Sequence, residues 1–207
     1  MYNLKQKLFG GSERSAKAKK NIYASLLLKG LTILVSLILI PMTLGYLTNY
    51  EYGVWLTLSS LLHWIDFFDI GLGNGLRNKL AESLAENNYK KSRIYVSTTF
   101  FSLTVIIGTF YLLFVFINIW IDWYKILNVS PDIVSNLKGI ILLVSGMMCM
   151  NFVLKTISFV YYAKQVAMMN NIISFATQVF SLAIIFILTQ VTNGELWKVA
   201  TVYASSP

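Results

Sequence analysis

"IYASLLLKGLTILVSLILIPMTLGYL" occupies residues 22–47, and Lys29 is its one charged residue. A helix that crosses a bilayer needs about 20 mostly apolar residues, and this run meets that length. It is too long for the apolar centre of a signal peptide, which has about 7–15 residues. We therefore predict that residues 22–47 stay in the membrane as a first span, with a kink at Pro41.

Further apolar runs follow at about residues 53–73, 94–121, 134–162 and 171–190, and another begins near residue 196. Long continuous runs favour helices, because the strands of membrane barrels alternate apolar and polar residues over about ten positions. The predicted fold is an all-α, polytopic membrane helix bundle with five complete spans and the start of a sixth. Residues 1–21 would form a basic segment and residues 22–207 the transmembrane part. Because the sixth run is short, we expect the chain to be a fragment of a longer protein.

Composition supports a membrane protein and argues against a nucleic-acid partner. Of the 207 residues, 56% are hydrophobic and only 13% are charged, whereas a soluble domain is typically about a quarter charged. The net charge of +8 would fit nucleic acid, but the basic residues flank apolar runs. That placement is typical of the cytoplasmic side of a membrane protein.

The distribution of Lys and Arg also predicts the orientation. The N-terminal segment and the loop after the second run are rich in basic residues, whereas the loop after the first run has none and the loop after the third has only Lys125. Positive residues accumulate on the cytoplasmic side, so the N-terminus is predicted to be cytoplasmic. The basic loop contains "RNKLAESLAENNYKKSR", residues 77–93. This stretch is predicted to be either an amphipathic helix with Leu80 and Leu84 facing lipid, or a solvated linker helix without a partner.

Ionisable residues within the predicted spans are the candidate site. "HWIDFFDIGLGNGLR" covers residues 63–77. Residues that step by three or four share one helical face, and here they are His63, Asp66, Asp69 or Ile70, Gly73 and Arg77. A charge inside the bilayer costs about 2.5–3.5 kcal/mol on insertion scales. Because an α-helix rises about 1.5 Å per residue, Lys29 and Asp69 are predicted to lie at similar depths in the membrane. We therefore predict that Lys29 faces Asp69 or Asp66. The group would line a transport pathway or simply lock two helices together.

Lys155 lies near the end of the fourth apolar run and is expected only to extend its amine toward the membrane surface.

The glycines are assigned to helix packing rather than to a nucleotide loop. "GLGNG" at residues 71–75 lacks the preceding strand and the later acidic residue of such a loop. Gly71 and Gly75 instead have a spacing that allows helices to approach closely, and Pro41, Gly53 and Gly73 are grouped with them. One cysteine and one histidine provide no metal-ligand spacing. The sequence predicts no metal, no cofactor and no enzyme activity.

Residues 37–82, "LILIPMTLGYLTNYEYGVWLTLSSLLHWIDFFDIGLGNGLRNKLAE", resemble the first two helices of bacterial O-antigen and capsule lipid-linked oligosaccharide flippases. The matching features are Pro41, then "YEYGVW" at residues 50–55, then "DIGLGNGLRNKLAE" from Asp69. These flippases belong to the multidrug/oligosaccharidyl-lipid/polysaccharide exporter superfamily. The resemblance implies two six-helix lobes around a central cavity, of which this chain would supply not quite one.

The same resemblance implies a function in the bacterial inner membrane. Such proteins move undecaprenyl-diphosphate-linked oligosaccharide from the inner to the outer leaflet by alternating access, coupled to a proton or sodium gradient. The implied partners are this lipid-linked oligosaccharide, membrane lipids and the machinery that polymerises the polysaccharide. The alternatives are an exporter of a drug or another lipid, and a non-transporting membrane scaffold subunit.

Overall fold

The computed structural model describes the backbone of residues 13–62 and 71–205, and the side chains of residues 21–61 and 71–205. Within these ranges the regular structure is entirely helical. The helices, numbered along the chain, are α1 Glu13–Tyr46, α2 Asn49–Leu62, α3 Leu72–Ala85, α4 Tyr89–Asn118, α5 Trp123–Ile126, α6 Leu137–Leu154, α7 Thr156–Ala163, α8 Ala167–Val191 and α9 Leu196–Ala204.

Within the described part of the chain, four segments are long and apolar enough to cross a membrane: Asn21–Tyr46, Tyr89–Asn118, Leu137–Ala163 and Ala167–Val191. Only 6% of the most apolar stretch of the first segment is buried inside the protein. An apolar helix with so little protein cover fits a lipid environment. The protein is therefore a multi-pass helical membrane protein. The count of five complete spans stays a prediction, because the second predicted span includes residues 63–70, which lie outside the described part.

The helix α1 is longer than the first predicted span. It begins at Glu13, within the predicted basic segment, and continues through Pro41 to Tyr46. Its main packing partner is α8, and it meets α2 over a much smaller area. Ser36 accepts a hydrogen bond from Gln178 at 2.8 Å, and the hydroxyls of Tyr46 and Thr192 lie 2.7 Å apart. Both contacts advance in the same direction along the two helices, so α1 and α8 are parallel.

The main hydrophobic core lies toward the end of the bundle where α1 and α8 finish. It combines buried residues of α1, α2, α6, α8 and α9, among them Leu39, Leu58, Leu137, Ile185 and Val199. The ring centroids of Trp55 and Tyr203 lie 5.5 Å apart within this region. This core joins helices that are distant in sequence and holds one end of the bundle together.

A second, smaller core corrects the sequence interpretation of residues 77–93. Leu76 and Leu80 of α3 pack with Ala163 of α7, and Leu80 is only 2% exposed. Leu84 is partly buried against the same cluster. Neither the lipid-facing helix nor the solvated linker is correct, because the apolar face of α3 is covered by protein. The amphipathic pattern predicted an apolar face on this helix, but not that other helices of the protein cover it.

The two ends of the bundle are separated by α4. Its 30 residues correspond to about 45 Å at 1.5 Å per residue. We call the end that carries the turn at residues 86–88 and the start of α4 the basic end, because Lys90, Lys91 and Arg93 lie there. The opposite end, which carries the connection at residues 119–136, is called the far end.

Candidate functional site

The acidic half of the predicted site lies outside the described residues. His63, Asp66 and Asp69 fall within residues 63–70. The predicted pairing of Lys29 with either aspartate therefore stays a prediction. The structure does place the basic members, Lys29 and Arg77, and the packing residues Pro41, Gly53, Gly71, Gly73 and Gly75.

Lys29 lies on the exposed surface of α1. It lies eight residues after Asn21, which directly follows the basic residues Lys19 and Lys20, and this separation corresponds to a depth of about 12 Å from the basic end. Among the described residues, no carboxylate forms an ion pair with it. The site therefore contains a cation well inside the apolar part of a spanning helix.

Lys155 occupies the junction of α6 and α7, within the spanning segment Leu137–Ala163. It precedes Ala163 by eight residues, so it also lies about 12 Å from the basic end. Its ammonium is 6.0 Å from the ring centroid of Phe152. From sequence alone, Lys155 is expected only to extend its amine toward the membrane surface. Counting residues back from the end of the apolar run would have placed it at the depth of Lys29.

The backbone hydrogen-bonding pattern changes at Lys155. The amide of Lys155 donates to the carbonyl of Asn151, four residues earlier, at 2.8 Å, whereas the amide of Ser158 donates to the carbonyl of Lys155, only three residues earlier, at 2.9 Å. The hydroxyl of Thr156 is buried and has no hydrogen-bond partner among the described residues. The junction therefore combines a lysine, a buried hydroxyl and the boundary between two helices inside the spanning segment Leu137–Ala163.

Arg77 lies on the exposed face of α3. Its guanidinium carbon is 5.7 Å from the ring centroid of Tyr162 on α7, within the range of a cation–π interaction. The contact joins the predicted basic loop to the end of the spanning segment Leu137–Ala163. Arg77 thus lies closer to the basic end than Lys29 and Lys155.

The glycines have different local surroundings. A Cβ atom at Gly73 would overlap the ring of Phe159, so this glycine permits close approach of α3 and α7. Gly71 has φ of +81° at the start of α3, a conformation that favours glycine. At Gly53 and Gly75 a Cβ atom would meet no described atom within 4 Å. Pro41 is an exposed residue within α1.

Two exposed ion pairs reduce the free positive charge at the basic end. Lys79 pairs with Glu82 at 3.0 Å, and Lys91 pairs with Glu86 at 3.5 Å. The hydrogen bond from Lys79 lowers the pKa of Glu82, and the same bond raises the pKa of Lys79. Exposed pairs of this kind contribute little to stability. Lys90 and Arg93 have no ion-pair partner among the described residues.

No family model, curated protein or solved structure matches this chain.

Proposed function

We propose that the protein flips undecaprenyl-diphosphate-linked oligosaccharide, an O-antigen or capsule repeat unit, from the inner to the outer leaflet of the bacterial inner membrane. The N-terminus would be cytoplasmic, and transport would proceed by alternating access coupled to a proton or sodium gradient. The chain would supply one lobe of a two-lobe exporter. Support comes from the resemblance of residues 37–82 and from the multi-pass helical fold.

The observation that carries the proposal is the common depth of two lysines. Lys29 and Lys155 both lie about 12 Å from the basic end, on two different spanning segments. Ionisable groups at such a depth are costly and normally face a protein interior or a water-filled cavity. Ammonium groups form strong, charge-assisted hydrogen bonds with phosphate oxygens. Two such groups at one level fit a substrate whose lipid carrier ends in a diphosphate.

The acidic residues complete the proposed mechanism. Asp66 or Asp69 would hold Lys29 when no substrate is bound. Uptake of a proton or sodium ion by the carboxylate would then release Lys29 to the diphosphate. This exchange links the ion gradient to substrate binding. His63 and Arg77 would lie along the same pathway, nearer the membrane centre and the basic end respectively.

Two alternatives are distinguished by their predictions. An exporter of a drug or another lipid would use the same basic groups but would not restore surface polysaccharide. A scaffold subunit would need Lys29 only for helix association, so its loss would reduce stability rather than transport. The exposed position of Lys29 on α1 favours a transport role over a packing role.

The test is a flipping assay in cells that lack their own O-unit flippase, with surface polysaccharide as the readout. The full-length gene is compared with Lys29→Gln, Lys29→Arg and Asp69→Asn at equal expression. Lys90→Gln is the matched control, because Lys90 is an exposed lysine in the first turn of α4, at the basic end rather than deep within a span. We expect Lys29→Gln and Asp69→Asn to lose rescue, Lys29→Arg to retain part of it, and Lys90→Gln to behave as wild type.

Two results would contradict the proposal. Full rescue by Lys29→Gln would remove the lysine from the pathway. Failure of the well-folded full-length protein to rescue would favour another exported compound or the scaffold function.

A further inference from the structure

The connection between α4 and α6 forms an open cleft at the far end of the bundle. Its volume is about 490 Å³, and the lining includes Trp120, Asp122, Trp123, Tyr124, Asn136 and Lys138. Sites for small molecules typically have about 300–1,000 Å³ and combine aromatic walls with a few polar groups. The cleft lies at the opposite end of the bundle from Arg77, so it is separate from the proposed pathway entrance.

The inner wall of the cleft is held by hydrogen bonds. The indole N–H of Trp123 donates to the buried side-chain oxygen of Asn118. The Tyr124 hydroxyl donates to the carbonyl of Val134 and accepts from the amide of Leu137, both at 3.1 Å. These bonds tie the short helix α5 to the start of α6. The cleft is therefore a fixed feature of this connection.

Trp120 presents an open aromatic surface beside this wall. Its side chain is 77% exposed, and its ring meets Phe116 edge to face, with centroids 5.3 Å apart and planes at 71°. No described residue accepts a hydrogen bond from its indole N–H. Phe116 thus orients the ring while leaving most of its surface and its donor available.

The polar groups of the cleft keep unused hydrogen-bonding capacity. Lys138 donates one bond to the carbonyl of Ile119 at 2.9 Å, and the side-chain oxygen of Asn136 accepts from Gly139 at 3.2 Å. One oxygen of Asp122 pairs with Lys125 at 3.2 Å. An ammonium has three donors, an amide nitrogen has two and a carboxylate accepts about four bonds. Donors and acceptors therefore both remain.

This mixture of groups discriminates among ligand classes. A phosphate site would consist of donors, and the carboxylate of Asp122 would oppose it. A cation site would consist of acceptors, and Lys138 would oppose it. Sugar hydroxyls both donate and accept, and the apolar face of a sugar ring can lie on an exposed indole. The Lys125 hydrogen bond lowers the pKa of Asp122, so the acceptor stays charged at neutral pH.

We propose that the far-end cleft binds the carbohydrate part of the lipid-linked substrate, with Trp120 as the stacking platform and Asp122, Asn136 and Lys138 as hydroxyl partners. This inference rests on the proposed function and deepens it. The cleft would receive the glycan on the side to which it is delivered. The competing explanation is that Trp120 only anchors the protein at the membrane surface, as interfacial tryptophans commonly do.

The test measures glycan binding by the full-length protein in lipid nanodiscs. Labelled nanodiscs are screened on an array of bacterial surface oligosaccharides, and affinity for the strongest binder is measured by fluorescence anisotropy. The variants are Trp120→Leu, which keeps an apolar side chain, and Asp122→Asn. Trp197→Leu is the matched control, because Trp197 is an exposed far-end tryptophan beside Glu195 and Lys198 but outside the cleft.

We expect Trp120→Leu and Asp122→Asn each to weaken binding about tenfold or more, and Trp197→Leu to bind as wild type. Absence of binding to every oligosaccharide, or unchanged binding by Trp120→Leu, would overturn the inference. Equal losses in Trp120→Leu and Trp197→Leu would also overturn it and favour membrane anchoring.

The flipping assay separates this inference from the proposed function. Rescue by the native protein without Trp120-dependent binding would remove the cleft and leave the flippase function. Trp120-dependent binding without rescue would keep the glycan site and remove flipping.

Discussion

The hydroxyl of Thr43 on α1 lies 2.9 Å from the phenol oxygen of Tyr203 on α9. Thr43 also donates its single hydroxyl proton to the carbonyl of Leu39 at 2.8 Å. Tyr203 is therefore the donor in the contact between the helices. This bond joins the first and last described helices across the main core.

Replacement of Tyr203 by Phe removes this bond while keeping the ring beside Trp55. We expect a loss of about 0.5–1.5 kcal/mol in the free energy of unfolding. The measurement is thermal unfolding in detergent with a thiol-reactive dye, since Cys149 is the only cysteine and lies partly buried. Tyr203→Leu should cost more, because it also removes the ring contact. Equal stability of wild type and Tyr203→Phe would show that the bond contributes nothing.

Gly73→Ala and Gly75→Ala should have opposite effects although the two glycines share one helix. The new methyl at position 73 would overlap Phe159, and such overpacking typically costs about 1–3 kcal/mol. At position 75 it meets no described atom within 4 Å. There alanine should be neutral or stabilise by up to about 1 kcal/mol, because it is the better helix former. Unfolding temperatures of the two variants give the comparison.

The Gly73 effect has an internal control. Phe159→Leu should restore part of the stability lost in Gly73→Ala, because a smaller side chain makes room for the methyl group. A Gly73→Ala protein as stable as wild type would contradict the close approach of α3 and α7.

A disulfide between α3 and α4 should form readily. The hydroxyl oxygens of Ser83 and Ser92 lie 2.8 Å apart in a buried position, so Cys residues at both positions would have their sulfur atoms close together. In a Cys149→Ser background, oxidation of Ser83→Cys/Ser92→Cys should protect both thiols from a maleimide that shifts gel mobility. Ala81→Cys/Ser92→Cys is the control, because Ala81 lies on the exposed face of α3. If the control pair cross-linked with equal efficiency, the result would argue against the close packing of α3 on α4 at Ser83 and Ser92.

The Lys79–Glu82 pair should give a small stability contribution that depends on pH. The pKa of Glu82 is lowered from 4.5 and that of Lys79 is raised from 10.5. The contribution is thus present between about pH 4.5 and 10.5. It is lost as pH falls through the folded-state pKa of Glu82, or rises through that of Lys79. The difference in unfolding temperature between wild type and Glu82→Gln should vanish at low pH and at high salt. A difference that persists at low pH would point to another cause.

The spanning helices were the most predictable part of the fold. The continuous apolar run at residues 22–47 requires a long helix, and Asn21–Tyr46 is one of the spanning segments. Helix starts were less predictable, because they depend on local hydrogen bonds. The helix α4 begins at Tyr89, whereas the sequence predicted a start near residue 94. The side chain of Asn88 caps this helix by accepting a hydrogen bond from the amide of Lys91.

Tertiary contacts were the least predictable part. Hydrophobic periodicity showed that Leu80 belongs to an apolar face, but not that Ala163 and its neighbours cover it. Glycine spacing pointed to Gly71 and Gly75 as the positions of close helix approach. In the structure the close approach is at Gly73, where an added Cβ atom would overlap Phe159. The apolar pattern also did not predict the helix boundary at Lys155, because a change in backbone hydrogen bonding does not alter how apolar a segment is. The contacts of Leu80 with Ala163 and of Gly73 with Phe159 join residues that are distant in sequence.

The pairing of α1 with α8 has a consequence for biosynthesis. Ser36 and Gln178 are separated by 142 positions, and chains are synthesised at about 5–20 residues per second, so the interval is about 7–28 s. During this time the first helix is already made while its main partner does not yet exist. The helix must therefore be stable as a single element in lipid, and its apolar, largely uncovered surface meets that requirement. The packing of α1 against α8 can therefore form only after the fifth predicted span has been synthesised. A slower ribosome would lengthen the time during which Ser36 lacks its partner Gln178.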